Sequence, residues 1–171
     1  MIVPIIKYGS SLLRKHASAI TKEDDPEKIA NNLYDTLKKE AGLGLAGPQI
    51  GLLKRIFVID TSPLTDDPSV EKTEEAVINP EIIEKSSDTA IYNEGCLSIP
   101  GIYKDVKRPE KIRVRYQDVA FNIIEKELDG IQARIFQHEY DHLDGILFID
   151  RLNSIERKLL AGKISKIRKQ K

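Results

Sequence analysis

The stretch Gln137-His138-Glu139-Tyr140-Asp141-His142 constrains this chain more than any other. It holds two of the three histidines, four residues apart. On an α-helix that spacing puts both imidazoles on one face, about one turn apart, where a single metal ion can take both. Glu139 stands roughly 100° further round the helix. It can reach a water on the metal without ligating the metal itself. This is the HExxH arrangement, two ligands and a general base, of metal-assisted hydrolysis. A surface helix that merely carries two histidines shows the same pattern. The decision therefore falls to the rest of the chain, which must supply a third ligand and an oxyanion donor.

A chain of 171 residues is expected to form one domain with a sizeable core. Its 27 basic and 27 acidic residues cancel, so the total charge argues for neither a membrane nor DNA as partner. The single cysteine excludes an intramolecular disulfide and fits a reducing compartment. No apolar run approaches the roughly 20 residues that span a bilayer. The apolar start, Met1 to Ile6, lacks the basic region and cleavage site of a signal peptide. The expected location is the cytoplasm.

Asp25-Pro26-Glu27 is an acidic cap followed by proline at the first helical position, so a helix is expected from there, ended by Gly42. Its apolar face carries Ile29, Leu33 and Leu37. Four glycines follow within Gly42 to Gly51. They require close backbone approach to something. The stretch is no phosphate loop, because it follows a helix and lacks Gly-Lys-Ser/Thr. Arg55 to Asp60 reads as a buried strand, Thr61 to Glu75 as an exposed loop, and Ala76 to Ile83 as a strand interrupted at Asn79-Pro80. Lys111 to Tyr116 alternates as a half-exposed strand, with Val119 to Leu128 as its hairpin partner and Gln117-Asp118 at the turn. Asp129-Gly130 opens the histidine helix and Gly145 ends it. Ile146 to Ile149 is expected to be extended. Asn153 and Glu156, at capping-box spacing, open a last helix to about Arg168. The expected fold class is α+β: antiparallel sheets packed around a central HExxH helix, with one N-terminal and one C-terminal helix.

Three stretches together resemble the peptide deformylases, of the bacterial or organellar type with a C-terminal helix. The family motif Gly-x-Gly-x-Ala-Ala-x-Gln corresponds to Gly42, Gly44, Ala46, Gly47 and Gln49, with glycine in place of the second alanine. Glu-Gly-Cys-Leu-Ser is intact as Glu94 to Ser98, and Gln-His-Glu-x-Asp-His is intact as Gln137 to His142. The resemblance runs from residue 1 to about 153. That stretch is expected to be the catalytic domain, and residues 154–171 a basic helix belonging to the same unit.

Cys96, His138 and His142 give a three-ligand site that keeps a position open for water. The bland alternative for Cys96 is a small buried hydrophobe. The resemblance implies hydrolysis of the N-formyl group from the N-terminal formylmethionine of newly made polypeptides, releasing formate. Glu139 serves as the base. The resemblance assigns the oxyanion donors to the Gln49 side chain and the Leu97 N–H, and peptide-backbone contacts to Leu43, Gly44 and Gly95. One divalent metal is implied, Fe(II) first, although Zn(II), Ni(II) and Co(II) suit the same donors. Ile131 and Ile135 share a helix face with the histidines, and with Leu43 they are either the methionine pocket or ordinary core residues. Arg134 sits at the edge of that face, its stem expected to line the pocket and its head to reach water. Glu94 and Asp141 are the nearest carboxylates to orient the imidazoles, unless Asp141 pairs with Arg108. His16 lies outside all three motifs.

Two other readings compete. A zinc endopeptidase also uses HExxH but takes its third ligand downstream of it, whereas Cys96 lies upstream. A binding protein with a dead site has no use for both Glu139 and Gln49. The tail adds a separate expectation. Residues 154–171 hold seven Lys/Arg and one acid, a net +6, while the other 153 residues hold 20 bases and 26 acids, a net −6. Such a helix either lies on its own acidic body or contacts the ribosome through RNA phosphates.

Overall fold

The computed structural model describes residues 1–64, 68 and 70–169, with Arg168 and Lys169 described by backbone alone. It is a mixed α+β fold of two antiparallel sheets and three α-helices. Helix α1 spans Pro26–Glu40. Its N-terminus is capped by the Asp25 carboxylate, which accepts the Lys28 N–H at 3.3 Å. At the other end Ala41, at φ 52°, takes the left-handed position expected of Gly42. Gly42 answers a different need. A Cβ there would lie 2.8 Å from Leu37 and 3.0 Å from Leu97, so contact rather than dihedral freedom selects glycine.

The larger sheet has the order β1-β2-β3-β6-β7, formed by Gly44–Ala46, Ile56–Asp60, Glu74–Lys85, Ile112–Gln117 and Ile123–Leu128. Strands β4 (Thr89–Cys96) and β5 (Ile99–Pro109) form a separate hairpin. Strand β2 is buried at every residue because both of its faces are covered. Ile56 and Val58 meet Leu33 and Leu37 of α1. Phe57 and Ile59 face α2 (Gly130–Leu143), which contributes Ala133, Ile135, Phe136 and Leu143. Phe57 and Phe136 meet edge to face at 5.0 Å. A third cluster joins Ile99, Ile102 and Val106 of β5 to Phe148, Leu152 and Leu160.

Several local expectations change. Thr61 is 1% exposed rather than part of an open loop, because its hydroxyl and N–H tie the segment to Glu71 and Thr73. Residues 65–67 and 69 of that loop lie outside the described residues. Strand β3 is not broken at Asn79-Pro80. Asn79 adopts φ 48°, the register shifts there, and its side-chain amide binds both the N–H and the C=O of Ile20. The β6–β7 turn lies at Asp118–Asn122, since the Asp118 carboxylate accepts the N–H groups of Ala120 and Asn122, while Gln117 stays in the strand. Within Ile146 to Ile149, Leu147 is extended as expected, but Phe148 and Ile149 are not. Phe148–Arg151 forms a 3-10 turn, closed by the Leu147 N–H donating to Asp150 at 2.8 Å.

Helix α3, Ser154–Lys169, opens with the reciprocal Asn153–Glu156 capping box. Leu160 is buried on the body and Ile164 and Ile167 are partly so, whereas Ile155 and Leu159 are exposed. Of these five residues only Leu160, Ile164 and Ile167 therefore pack on the body. No helix among the described residues is long and apolar enough to cross a membrane.

Phe136 is 1% exposed and joins α2 to the sheet. Phe136→Ala should cost about 3–5 kcal/mol in urea unfolding. A loss under about 1 kcal/mol would show that α2 is not anchored by this ring.

Candidate metal and hydrolytic centre

Cys96 ends strand β4, while His138 and His142 come from α2. The ligating atoms of the three lie within 4.8 Å of one another, and Cys96 Sγ is 3.4 Å from His142 Nε2. Tetrahedral bonds of about 2.3 Å to sulfur and 2.0–2.1 Å to nitrogen place such donors about 3.5 Å apart. The donor set thus fits a single divalent ion in both chemistry and spacing. His138 Nδ1 hydrogen-bonds Glu94 at 2.9 Å, which leaves Nε2 for the cluster. Burial holds His142 neutral, well below the ordinary imidazole value. Neutral imidazole is the ligating form. Burial opposes charge on His138 as well, yet hydrogen bonds to Cys96 and Glu94 push it up to about 10.

Glu139 is 4% exposed, and among the described residues its Oε2 has no protein partner. Burial pushes its carboxyl up to about 7. Gly44 makes room for it, since a Cβ there would lie 2.6 Å from Glu139 Oε1. Part of the close approach demanded by the glycine-rich stretch is therefore to Glu139. Gln49, 1% exposed, is fixed at both ends of its amide. Its Oε1 accepts the Ala46 N–H at 2.8 Å, and its Nε2 donates to Ser98 Oγ at 3.2 Å and lies 3.5 Å from Cys96 Sγ.

A cleft of about 460 Å³ adjoins these groups. Cys96, His138, Glu139, Gln49 and Leu97 line it. So do all six residues expected to bind substrate: Leu43, Gly44, Gly95, Ile131, Arg134 and Ile135. A larger hollow of about 970 Å³, between Pro63, Val70 and Tyr92, shares only Ile131 with the cleft among the described residues and is lined by none of the cluster residues. The cleft, not the larger hollow, is where the chemistry converges. Tyr103 is an addition that no motif announced. It lies so close to Gly95 that a Cβ on that residue would be 2.5 Å from its ring. His16 stays outside, with its side chain 79% exposed.

The carboxylate partners separate cleanly. Glu94 takes His138, and Asp141 takes Arg108 Nη1 at 2.6 Å and two donors of Arg151. Arg108 also donates to Glu94, from Nε at 2.7 Å and Nη2 at 3.0 Å. Burial alone would raise the Glu94 pKa, but hydrogen bonds from His138 and Arg108 hold it far below the carboxylate range. The expectation for Arg134 is half wrong. Arg134 is among the residues lining the cleft, but its head does not reach water. The guanidinium donates to Glu94 at 2.6 Å and to the carbonyls of Val106 and Ala90 at 2.8 and 2.7 Å. Only the fold could bury Arg108 and Arg134, because Lys107-Arg108-Pro109 has the sequence of an exposed charged segment.

An α+β chain with a cysteine and two histidines around one point, and a buried glutamate beside them, is of the metal-dependent hydrolase class. Comparison with known proteins narrows this. The family model for polypeptide deformylase matches residues 2–158. A peptide deformylase of Cytophaga hutchinsonii is 45% identical over 170 residues, covering 99% of this chain and 92% of the relative. The crystal structure of peptide deformylase from Thermotoga maritima superposes with a TM-score of 0.82 at 39% identity, over 90% of this chain and 99% of that one. That of Acinetobacter baumannii, with Met-Ala-Ser bound, gives 0.84 at 32% identity, over 89% and 99%. The chain belongs to the polypeptide deformylase family, metal-dependent enzymes that remove the N-formyl group from new polypeptides.

Glu94→Ala should leave Arg108 and Arg134 buried against each other without their shared counter-charge. The expected cost in urea unfolding is about 3–5 kcal/mol. A loss near that of an exposed ion pair, under about 1 kcal/mol, would mean that water already screens the network.

Proposed function

We propose that this chain hydrolyses the formyl amide with Glu139, Gln49 and the Leu97 backbone, beside a divalent metal held by Cys96, His138 and His142. The observation that carries the reading is the convergence of three distant motifs on one cleft. The metal, when bound, supplies Lewis acidity and a water acidic enough to react near neutral pH. Glu139 takes the proton of the attacking water and returns it to the leaving amine. Its buried, unpartnered Oε2 suits that task. Gln49 Nε2 and the Leu97 N–H donate to the formyl oxygen as charge builds on it. The Gln49 amide is already oriented for this, since the Ala46 N–H occupies its oxygen.

Leu43, Gly44 and Gly95 hold an extended peptide through their main chains. Ile131, Ile135, Leu43 and the aliphatic stem of Arg134 receive the methionine side chain. The A. baumannii relative supports the substrate class, because the Met-Ala-Ser it binds is what formyl-Met-Ala-Ser becomes once formate leaves. In this reading the HExxH helix is the metal-binding centre around which both sheets are arranged. Fe(II) is the first assignment by family resemblance, and Zn(II), Ni(II) and Co(II) suit the same donors. Metal analysis after anaerobic purification, beside the rate of formate release, identifies the ion.

Residues 1–153 form the catalytic domain, working in the cytoplasm on nascent chains. Residues 154–171 extend the same unit as a basic helix. Leu160 anchors that helix to the body, while Arg157, Lys158, Lys163 and Lys166 stay exposed and suit weak phosphate contacts with the ribosome. The side chains of Arg168 and Lys169, and residue Lys171, lie outside the described residues.

Glu139→Ala should retain metal and lose about 10²–10⁴-fold in formate release from formyl-Met-Ala-Ser. A variant that loses metal and regains full rate when metal is added back would remove Glu139 from the role of base. Charge reversal at Lys158, Lys163 and Lys166 should spare that small-peptide rate and reduce co-sedimentation with ribosomes at low salt. Undiminished co-sedimentation would leave the helix as packing alone.

A further inference from the structure

The three ligands come from two elements. Cys96 belongs to the β4–β5 hairpin, and the histidines belong to α2. The set closes only if hairpin and helix meet at a fixed distance and angle. Strand pairing does not enforce this, since among the described residues β4 and β5 pair as strands only with each other. Arg134 crosses that seam. It stands one turn before His138 on α2, and both residues hold the same carboxylate: Arg134 Nη1 on Glu94 Oε1, His138 Nδ1 on Glu94 Oε2. The same guanidinium reaches Ala90 O on β4 and Val106 O on β5, so it binds both strands of the hairpin. Its plane lies over the Tyr92 ring at 4.8 Å, and the residue is 4% exposed.

We propose that Arg134 is a positioning residue for the metal site, a clamp that keeps the Cys96 hairpin and the His138 imidazole in ligating arrangement. The proposal rests on reading Cys96, His138 and His142 as the ligands. Burying a guanidinium is costly unless its donors are met, and here a carboxylate and two carbonyls meet them. A lysine has no planar fork with which to span the three acceptors. Arg108 crosses the same seam in the opposite direction. From β5 it holds Glu94 and reaches Asp141 on α2. With Arg108 alone, Glu94 keeps a counter-charge, but the hydrogen bonds by which Arg134 ties α2 to Ala90, Glu94 and Val106 are lost. The imidazole loses the rigid frame that selects its Nδ1 hydrogen bond and aims Nε2.

The test uses the full-length zinc-loaded protein in equilibrium competition with a chelator, at a temperature where circular dichroism shows every variant folded. Arg134→Met should weaken zinc binding by about 10–100-fold. Its Co(II)-loaded form should show shifted visible absorption bands. A clamp important only for stability lowers the unfolding midpoint and leaves both readouts of the folded protein unchanged. Zinc affinity within about threefold of wild type would therefore overturn the proposal. If Arg134→Met does not fold, Arg134→Gln keeps a neutral donor for one strand carbonyl, and the same loss is expected. Unchanged affinity in that variant overturns the proposal equally. Cys96→Ser in the same titration keeps the two readings apart. Wild-type zinc binding by Cys96→Ser sinks the ligand assignment itself, whereas a loss there with none in Arg134→Met sinks the clamp alone.

Discussion

The Glu94 carboxylate is the joint on which the site depends. It is buried, and an isolated carboxylate at such a position costs several kcal/mol. Two arginines and an imidazole surround it. Oxygen Oε1 receives Arg108 and Arg134, and Oε2 receives Arg108 and His138. These four hydrogen bonds come from three residues on two elements, so the carboxylate cannot turn without losing one. That rigidity passes to His138 through a single hydrogen bond. Arg108 carries it on to Asp141, and Asp141 to Arg151 beyond α2. The chain of alternating charges keeps each buried ion compensated, which is the condition for tolerating any of them.

Packing places this polar joint. Strand β2 is covered by α1 on one face and α2 on the other, so the sheet fixes both helices at once. Helix α2 presents Ala133, Phe136 and Leu143 to the sheet. Its remaining side therefore carries Arg134, His138 and Glu139 toward the hairpin and the cleft. The small residues complete the arrangement by what they lack. Gly42 admits Leu97, Gly44 admits Glu139, and Gly95 admits Tyr103. Each added methyl would have to displace a group that lines the cleft. Gly47, where the family motif has alanine, is equally tight, since a Cβ there would lie 2.9 Å from the carbonyl oxygens of Leu52 and Lys54.

Local chemistry was enough to read much of this from the residues. Proline after Asp25 starts α1, and the Asn153–Glu156 spacing opens α3, because caps act over a single turn. The four-residue spacing of His138 and His142 fixes their shared face, because helical geometry depends on nothing distant. Three motifs in order marked Cys96, Gln49 and Glu139, and all line the cleft. Only the tertiary structure decided the rest. It turned the tail of an apolar run into a 3-10 turn at Phe148–Arg151, because an aspartate cap outweighs strand propensity in a segment with no partner strand. It chose Glu94 over Asp141 for His138, a choice that sequence distance cannot make when the two carboxylates lie 44 and three residues away. It also buried Arg134, which a helical wheel puts at the edge of a face with its head toward water. The guanidinium turned inward because two strand carbonyls and a carboxylate, remote in the chain, were brought within its reach.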